Sequence, residues 1–278
     1  MGECRHCQRP AGFLKKSHRE CEEKHTQGKA EIVSLVGRTG IEGFNPDAFK
    51  RDIEQIALTS FVDRNLLKSL IVSGWERAVK RAFDDGLLSE EEENALVELQ
   101  RFCSLSSDEL NKNGAYEKVV KGGILRDISN EKEIKGRIRV GGNLPFNFQR
   151  SEKLVWLFQD VDYFEHKTRT HYTGGSQGVS IRIAKGFWYR TGGFKGERVQ
   201  TTEVVHADTG LLGVTSKHIY FSGSLKSFRV AYTKIVAFEP YSDGIGIQRD
   251  AMTAKPQDFV TGDGWFTYNL ISNLARMA

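Results

Sequence analysis

The apolar residues of this chain change period once, and that change limits the fold more than any other feature. Up to about residue 130 they recur every three or four positions, as in helices with one buried face. Beyond Gly141-Gly142 they alternate, or gather in short β-branched and aromatic runs broken by Gly and Ser, as in antiparallel strands. The chain is long enough, at 278 residues, for two domains and a small accessory module. The sequence therefore predicts an α+β multidomain chain: a small module over 1–26, a helical bundle over 27–130, a charged linker over 131–143 and a β domain over 144–278.

The helical part declares itself through its caps. Asn45-Pro46 sets an N-cap before a proline at the first helical position. Asp63 starts the clearest helix, whose stripe runs from Leu66 through Leu70, Trp75, Ala78 and Val79 to Phe83 and stops at Asp84-Asp-Gly86. Ser89-x-x-Glu92 and Ser106-x-x-Glu109 are capping boxes, the second leading into the helix of Tyr116, Val119 and Ile124. Residues 26–44 carry Gly28, Gly37, Gly40 and Gly43 around Ile32-Val-Ser-Leu-Val36 and read as a short helix or linker. Cys103, at core spacing, reads as an inert buried thiol. The run from Phe83 to Glu93, with Leu105 to Leu110 after it, resembles the helix–loop–helix pattern of TerB-like bundles. Some such bundles bind metal through acidic loops. Here Asp84, Asp85 and Glu90 to Glu93 read as helix-end charges, because they lack the alternating oxygen-ligand spacing of an EF-hand loop.

Three of the four cysteines lie in the first 21 residues. Cys4-x2-Cys7 is a knuckle-type pair, and His18-x2-Cys21 follows and leads into a helix-forming stretch. Zinc takes four soft or borderline ligands in a tetrahedron, which two close pairs brought together by one loop supply. The expectation is one structural zinc on Cys4, Cys7, His18 and Cys21, with His25 as an alternative fourth ligand and His6 disfavoured inside the knuckle. Disulfides are disfavoured by the odd remaining thiol and by an N-terminus that is polar from its first residue, without a secretory signal. With no run of apolar residues long enough to span a bilayer, the expected location is cytoplasmic.

In the β part, Leu154 to Gln159, Val179 to Ile183, Phe187 to Tyr189 and Val199 to Val205 read as strands, and Trp265 to Arg276 as an amphipathic closing helix. The stretch Gly210-Leu-Leu-Gly, Thr215-x-Lys217, an apolar strand and then Tyr232-x-Lys234-Ile235 resembles the bacterial pleckstrin-homology-like (GRAM-like) family. The resemblance runs from about Leu144 to Leu274 and is interrupted by a long insertion around Tyr163–Arg190 and by the Gly/Asp-rich segment Asp243–Asp263. It implies a PH-like antiparallel β-barrel closed by a C-terminal helix, acting as a ligand- or partner-binding module.

Net charge is +3 over residues 1–30, −5 over 31–130 and +6 over 131–278, so the outer parts favour anionic partners and the middle does not. Arg182, Lys185, Arg190, Lys195 and Arg198, with Lys167 and Arg169, are strung among Tyr172, Phe187, Trp188 and Tyr189. They are candidate contacts for an anionic ligand. No catalytic set stands out. Ser176, His171 and Asp208 have nothing to fix them as a triad, and Gly244-Ile-Gly246 lacks the strand–helix context of a phosphate loop. The expected function is a non-catalytic adaptor or sensor that recognises a protein, with an anionic lipid surface or nucleic acid as alternative partners. The rival is a hydrolytic or nucleic-acid-processing enzyme with its site in residues 243–263, where Asp243, Asp250, Arg249 and a histidine would converge.

Overall fold

In the computed structural model of the chain, the described residues are 2–12, 15–42, 44–130, 136–138, 140–172, 182–184, 187–188, 198–251 and 253–278. For 40–42, 168–172, 182–184, 187–188 and 198–201 the description covers the backbone alone. The chain packs as two compact units, Met1–Arg126 and Asp127–Ala278.

The first unit opens with a two-stranded hairpin, β1 (Gly2–Glu3) and β2 (Pro10–Gly12), and continues as helices α1 (Arg19–Glu42), α2 (Pro46–Thr59), α3 (Arg64–Ala82), α4 (Glu90–Phe102), α5 (Ser107–Leu110) and α6 (Ala115–Ser129), whose last three residues fall past the unit boundary. The caps act as their sequence predicts. Asn45 Oδ1 accepts from Ala48 N–H, and Asp63 Oδ1 accepts from Asn65 and Leu66 N–H. Both capping boxes are formed, each Glu reaching back to the N–H of its Ser. The second box caps only the one-turn α5, because Asn111–Gly114 breaks the path with Gly114 at φ +74° before α6 begins.

The segment over 26–44 departs from the expectation of a short helix or linker. Residues 26–42 are part of α1, a continuous helix of 24 residues, about 36 Å long. Gly28 and Gly37 are contact points, not breaks. A Cβ at Gly28 would lie 1.9 Å from Ser60 Oγ at the end of α2. Gly74 of α3 does the same service from the other side, where a Cβ would meet Val36 Cβ at 2.4 Å. Ile32 and Val36 are fully buried there with Trp75, Ala78, Leu96 and Leu99. Trp75 donates its indole N–H to Leu96 O at 3.0 Å, which removes the cost of burying a lone polar group. Cys103 packs against this core half-buried, and burial pushes its thiol up to about 11, so it stays protonated. Asp85 caps Leu87 N–H, and Glu93 takes Arg126 at 2.6 Å, so these acids serve helix ends and packing.

The second unit holds β3 (Leu154–Tyr172), β4 (Arg182–Ala184), β5 (Phe187–Trp188), β6 (Arg198–Thr215), β7 (His218–Gly223), β8 (Ser227–Ala231), a 3-10 turn (Tyr232–Lys234), β9 (Ile235–Pro240), β10 (Gly244–Arg249), β11 (Gln257–Val260) and α7 (Gly264–Met277). β4 and β5 pair with each other; Val179 to Ile181 lie outside the described residues. Seven strands form one antiparallel sheet in the order β8-β7-β6-β3-β11-β10-β9. The last strand of the chain thus pairs back with the first long one, Asp258 opposite Phe164. The Gly/Asp-rich segment 243–263 is accordingly no insertion in the sheet: it supplies two of the strands and their turn.

The sheet is curled into a half-barrel. β8 and β11 stand four interstrand steps apart, about 19 Å in a flat sheet. Yet the rings of Phe228 and Phe259 lie 6.3 Å apart, and Tyr163 touches both at 5.0 and 5.3 Å. One end of the concavity is apolar: Leu212, Val214, Ile219, Ile245 and Ile247 are buried with Phe266, Leu270 and Ile271 of α7. Asp263 caps that helix through Phe266 N–H at 3.1 Å. The other end is polar. There Tyr163 donates to Glu165 at 3.1 Å, Gln257 donates to Tyr163 at 2.7 Å, and Lys226 pairs with Glu165 at 2.9 Å.

Candidate metal centre

The hairpin and the first turn of α1 build one site. Cys4 and Cys7 bracket a tight turn in which Cys4 N–H donates to Arg9 O, and Gln8 N–H, at φ 60°, donates to Cys4 O. Arg5 N–H donates to Lys16 O, drawing the segment before α1 alongside the turn. His18 therefore arrives beside the turn, and Cys21 follows on the first turn of the helix, facing the same way.

The four ligand atoms of Cys4, Cys7, His18 and Cys21 all lie within 4.8 Å of one another. His18 Nδ1 stands 3.4 Å from Cys7 Sγ and 3.8 Å from Cys21 Sγ. Tetrahedral zinc with bonds near 2.3 Å sets its sulfur ligands about 3.8 Å apart, so the group is already close to the spacing a metal requires. His18 Nε2–H donates to Pro10 O at 3.0 Å, which leaves the Nδ1 lone pair facing the three sulfurs. That carbonyl fixes the tautomer and the ring plane, as the outer partners of metal-bound histidines do. All four cysteines of the chain are free thiols, so no disulfide competes for the site.

The surroundings stabilise thiolate at one corner. Burial pushes the Cys4 thiol up, but the backbone N–H groups of Cys7, His18 and His6 outweigh it and bring Cys4 down to about 6. Cys21 is raised to about 11, by burial and then by its hydrogen bonds to Cys7 and Cys4. His18 is raised by the Pro10 carbonyl and by Cys7. Three thiols crowded around one imidazole resist losing all their protons unless a cation joins them.

Compared with family models and with curated proteins, the chain matches none.

His25, the alternative ligand, stands elsewhere: its Nδ1 donates to Ser60 O at 2.8 Å, tying α1 to the end of α2. His6, outside the ligand set, has a task that the spacing did not reveal. Its ring lies 4.6 Å from His25 and 5.8 Å from Phe61, and its Nε2 faces Glu22 Oε2 at 3.1 Å. Glu22, held by His6, Ser17 and Arg5, is lowered to about 2 and stays ionised. The hairpin thus seats on the helices through His6. No local signal marks this, since Phe61 lies far along the chain.

Of the residues proposed for an anionic ligand, Lys185, Arg190 and Lys195 lie outside the described residues. Arg182 is in β4, and Arg198 opens β6 opposite Tyr172, with their side chains outside the description. The set imagined for an enzyme does not converge: Asp243 and Asp250 bracket the six residues of β10, about 23 Å apart along an extended strand. Asp208 is likewise committed, accepting from Leu225, Lys226 and Thr209 N–H and from Ser224 Oγ to hold the β7–β8 turn. His166 pairs with Asp258, His206 with Asp162 and His218 with Glu152. Ser176 and His171 have no described side chains. No helix among the described residues is long and apolar enough to cross a membrane.

Proposed function

We propose that the chain is a non-catalytic adaptor or sensor, with one structural zinc on Cys4, Cys7, His18 and Cys21 and a PH-like β domain that recognises a protein or an anionic ligand. The observation that carries this reading is the completeness of the ligand set. Four protein atoms gather at tetrahedral spacing, and catalytic zinc sites keep one position for water or substrate. Cys₃His is a common structural donor set, and the outer hydrogen bond from His18 to Pro10 suits it. The free thiols favour a reducing compartment such as the cytoplasm. Seven antiparallel strands with a closing C-terminal helix support the PH-like reading of the second unit.

The test is elemental analysis of protein purified with its thiols reduced. One zinc per chain, lost in Cys7→Ala and kept in His25→Ala, is the expected result; protein without zinc refutes the assignment. For the β domain, Arg182→Glu with Arg190→Glu is expected to weaken binding to anionic vesicles or oligonucleotides, and wild-type binding should fall steeply with salt. Wild-type protein that binds neither at low salt leaves protein partners as the reading.

A further inference from the structure

The polar end of the half-barrel contains a cavity of about 260 Å³ between the middle of β3 and the β10–β11 turn. Tyr163, Glu165, Lys167, Arg249, Lys255 and Gln257 line it. The register explains why these side chains meet. Ile247 stands opposite Gln257, and Gln257 opposite Glu165, so all three share one face with Arg249 and Lys167, each two residues along its strand.

Two buried polar atoms here lack hydrogen-bond partners among the described residues: Arg249 Nε and Gln257 Oε1. Gln257 is 6% exposed, so its carbonyl oxygen is cut off from bulk water. Its amide cannot be turned round to solve this. Tyr163 spends its proton on Glu165 and so must accept from Gln257 Nε2, which leaves Oε1 facing away. Burial raises the Tyr163 phenol to about 12, so that proton is always present. A buried acceptor without a donor costs about 1–3 kcal/mol, so unpaired groups of this kind mark a partner from outside the chain.

The charges say what that partner carries. The carboxylate that lines the cavity, Glu165, is already matched by Lys226. Arg249, Lys167 and Lys255 have no carboxylate within ion-pair distance among the described residues. Three cations converge with a buried acceptor beside them. The ligand therefore needs an oxyanion for the guanidinium and ammonium groups and a hydroxyl to donate to Gln257. The volume falls below the roughly 300–1,000 Å³ of drug-sized pockets, so the ligand is small.

We infer that this cavity binds a phosphate ester of a small polyol, phosphate on Arg249 with Lys167 and Lys255, and an adjacent hydroxyl on Gln257. The inference rests on the reading of the β domain as an anion-recognising module and gives that module a site away from Arg182–Arg198. The same chemistry is offered by a free polyol phosphate and by a lipid headgroup.

Calorimetric titration of the full chain with glycerol 3-phosphate, inorganic phosphate and glycerol tests it, alongside co-sedimentation with phosphatidylglycerol vesicles. Glycerol 3-phosphate should bind more tightly than phosphate, and glycerol should not bind. Arg249→Gln should weaken binding by about tenfold to a hundredfold, the loss of one charge-assisted pair. Lys255→Glu, on an exposed turn where folding is not at stake, should weaken it in the same direction. Vesicle binding with the same dependence on Arg249, and none by the free ester, assigns the ligand to a headgroup. Wild-type protein that binds no probe overturns this site; the anion-recognising reading falls with it only where the protein also binds no oligonucleotide at low salt. Wild-type binding that Arg249→Gln and Lys255→Glu leave unchanged overturns the site alone.

Discussion

Stripping the proposed zinc should unfold the first 18 residues and little else. Ordering residues 2–18 costs about 20 kcal/mol of conformational freedom at somewhat over 1 kcal/mol per residue. The segment has little to set against that: among its described residues only Cys4 and Ala11 are buried apolar side chains. Its backbone bonds, Cys4 to Arg9, Gln8 to Cys4 and Arg5 to Lys16, add about 1 kcal/mol each. The shortfall is of the same order as the roughly 10–16 kcal/mol that structural zinc supplies to small modules. Beyond His25 the balance reverses, because Ile32 and Val36 are fully buried in a core that contains no part of the hairpin. The assay is amide hydrogen exchange before and after treatment with a zinc chelator. The amides of Cys4, Arg5 and Gln8 should then exchange at open-chain rates, while those around Trp75, Leu96 and the β6–β7 pairing keep their protection. Continued protection of Cys4 and Gln8 in metal-stripped protein would refute the reasoning.

Three further outcomes follow from the packing. Gly74→Ala should destabilise the first unit by about 1–3 kcal/mol through overpacking against Val36, whereas Gly37→Ala, whose Cβ would meet only the Arg77 side chain at 3.3 Å, should be neutral or stabilise by up to about 1 kcal/mol; urea unfolding followed at 222 nm compares them. Ser89→Ala removes the cap of α4 and should cost about 1 kcal/mol in the same assay. Burial raises Glu152, but Tyr220, the Gln149 N–H and His218 outweigh it and leave the folded carboxyl below its ordinary value of 4.5. Its contribution to the second unit is then present above pH 4.5 and lost as pH falls through the folded value, so Glu152→Gln should flatten the acid limb of stability against pH.

What could be read from the sequence was what neighbours in the chain decide. Asn45, Asp63, Ser89 and Ser106 satisfy N–H groups two or three residues away, so the caps were legible from spacing alone. The Cys4, Cys7, His18 and Cys21 set was legible for the same reason, since one turn and one helix start bring it together. Gly28 was misread because its meaning lies in Ser60, and nothing near Gly28 in the sequence says that another helix passes within a Cβ's reach. Gly244 and Gly246 looked like an insertion until their pairing with Val260 and Asp258 showed them to be strand residues. Arg249, Gln257 and Tyr163 come together only through sheet register, for which no local pattern exists.

The return of β11 to β3 also sets a timetable. Gln257 and Tyr163 touch although 94 residues separate them, so this pairing must close a long loop before it gains anything. During synthesis β3 can pair with β6 early, yet its Asp162–Glu165 edge waits until β11 has left the ribosome. For that interval an open strand edge is available to any neighbouring chain, which is the usual route to aggregation. Nonsense or frameshift lesions that remove β11 and α7 would make that interval permanent, so truncated chains should accumulate as aggregates, not as smaller folded proteins.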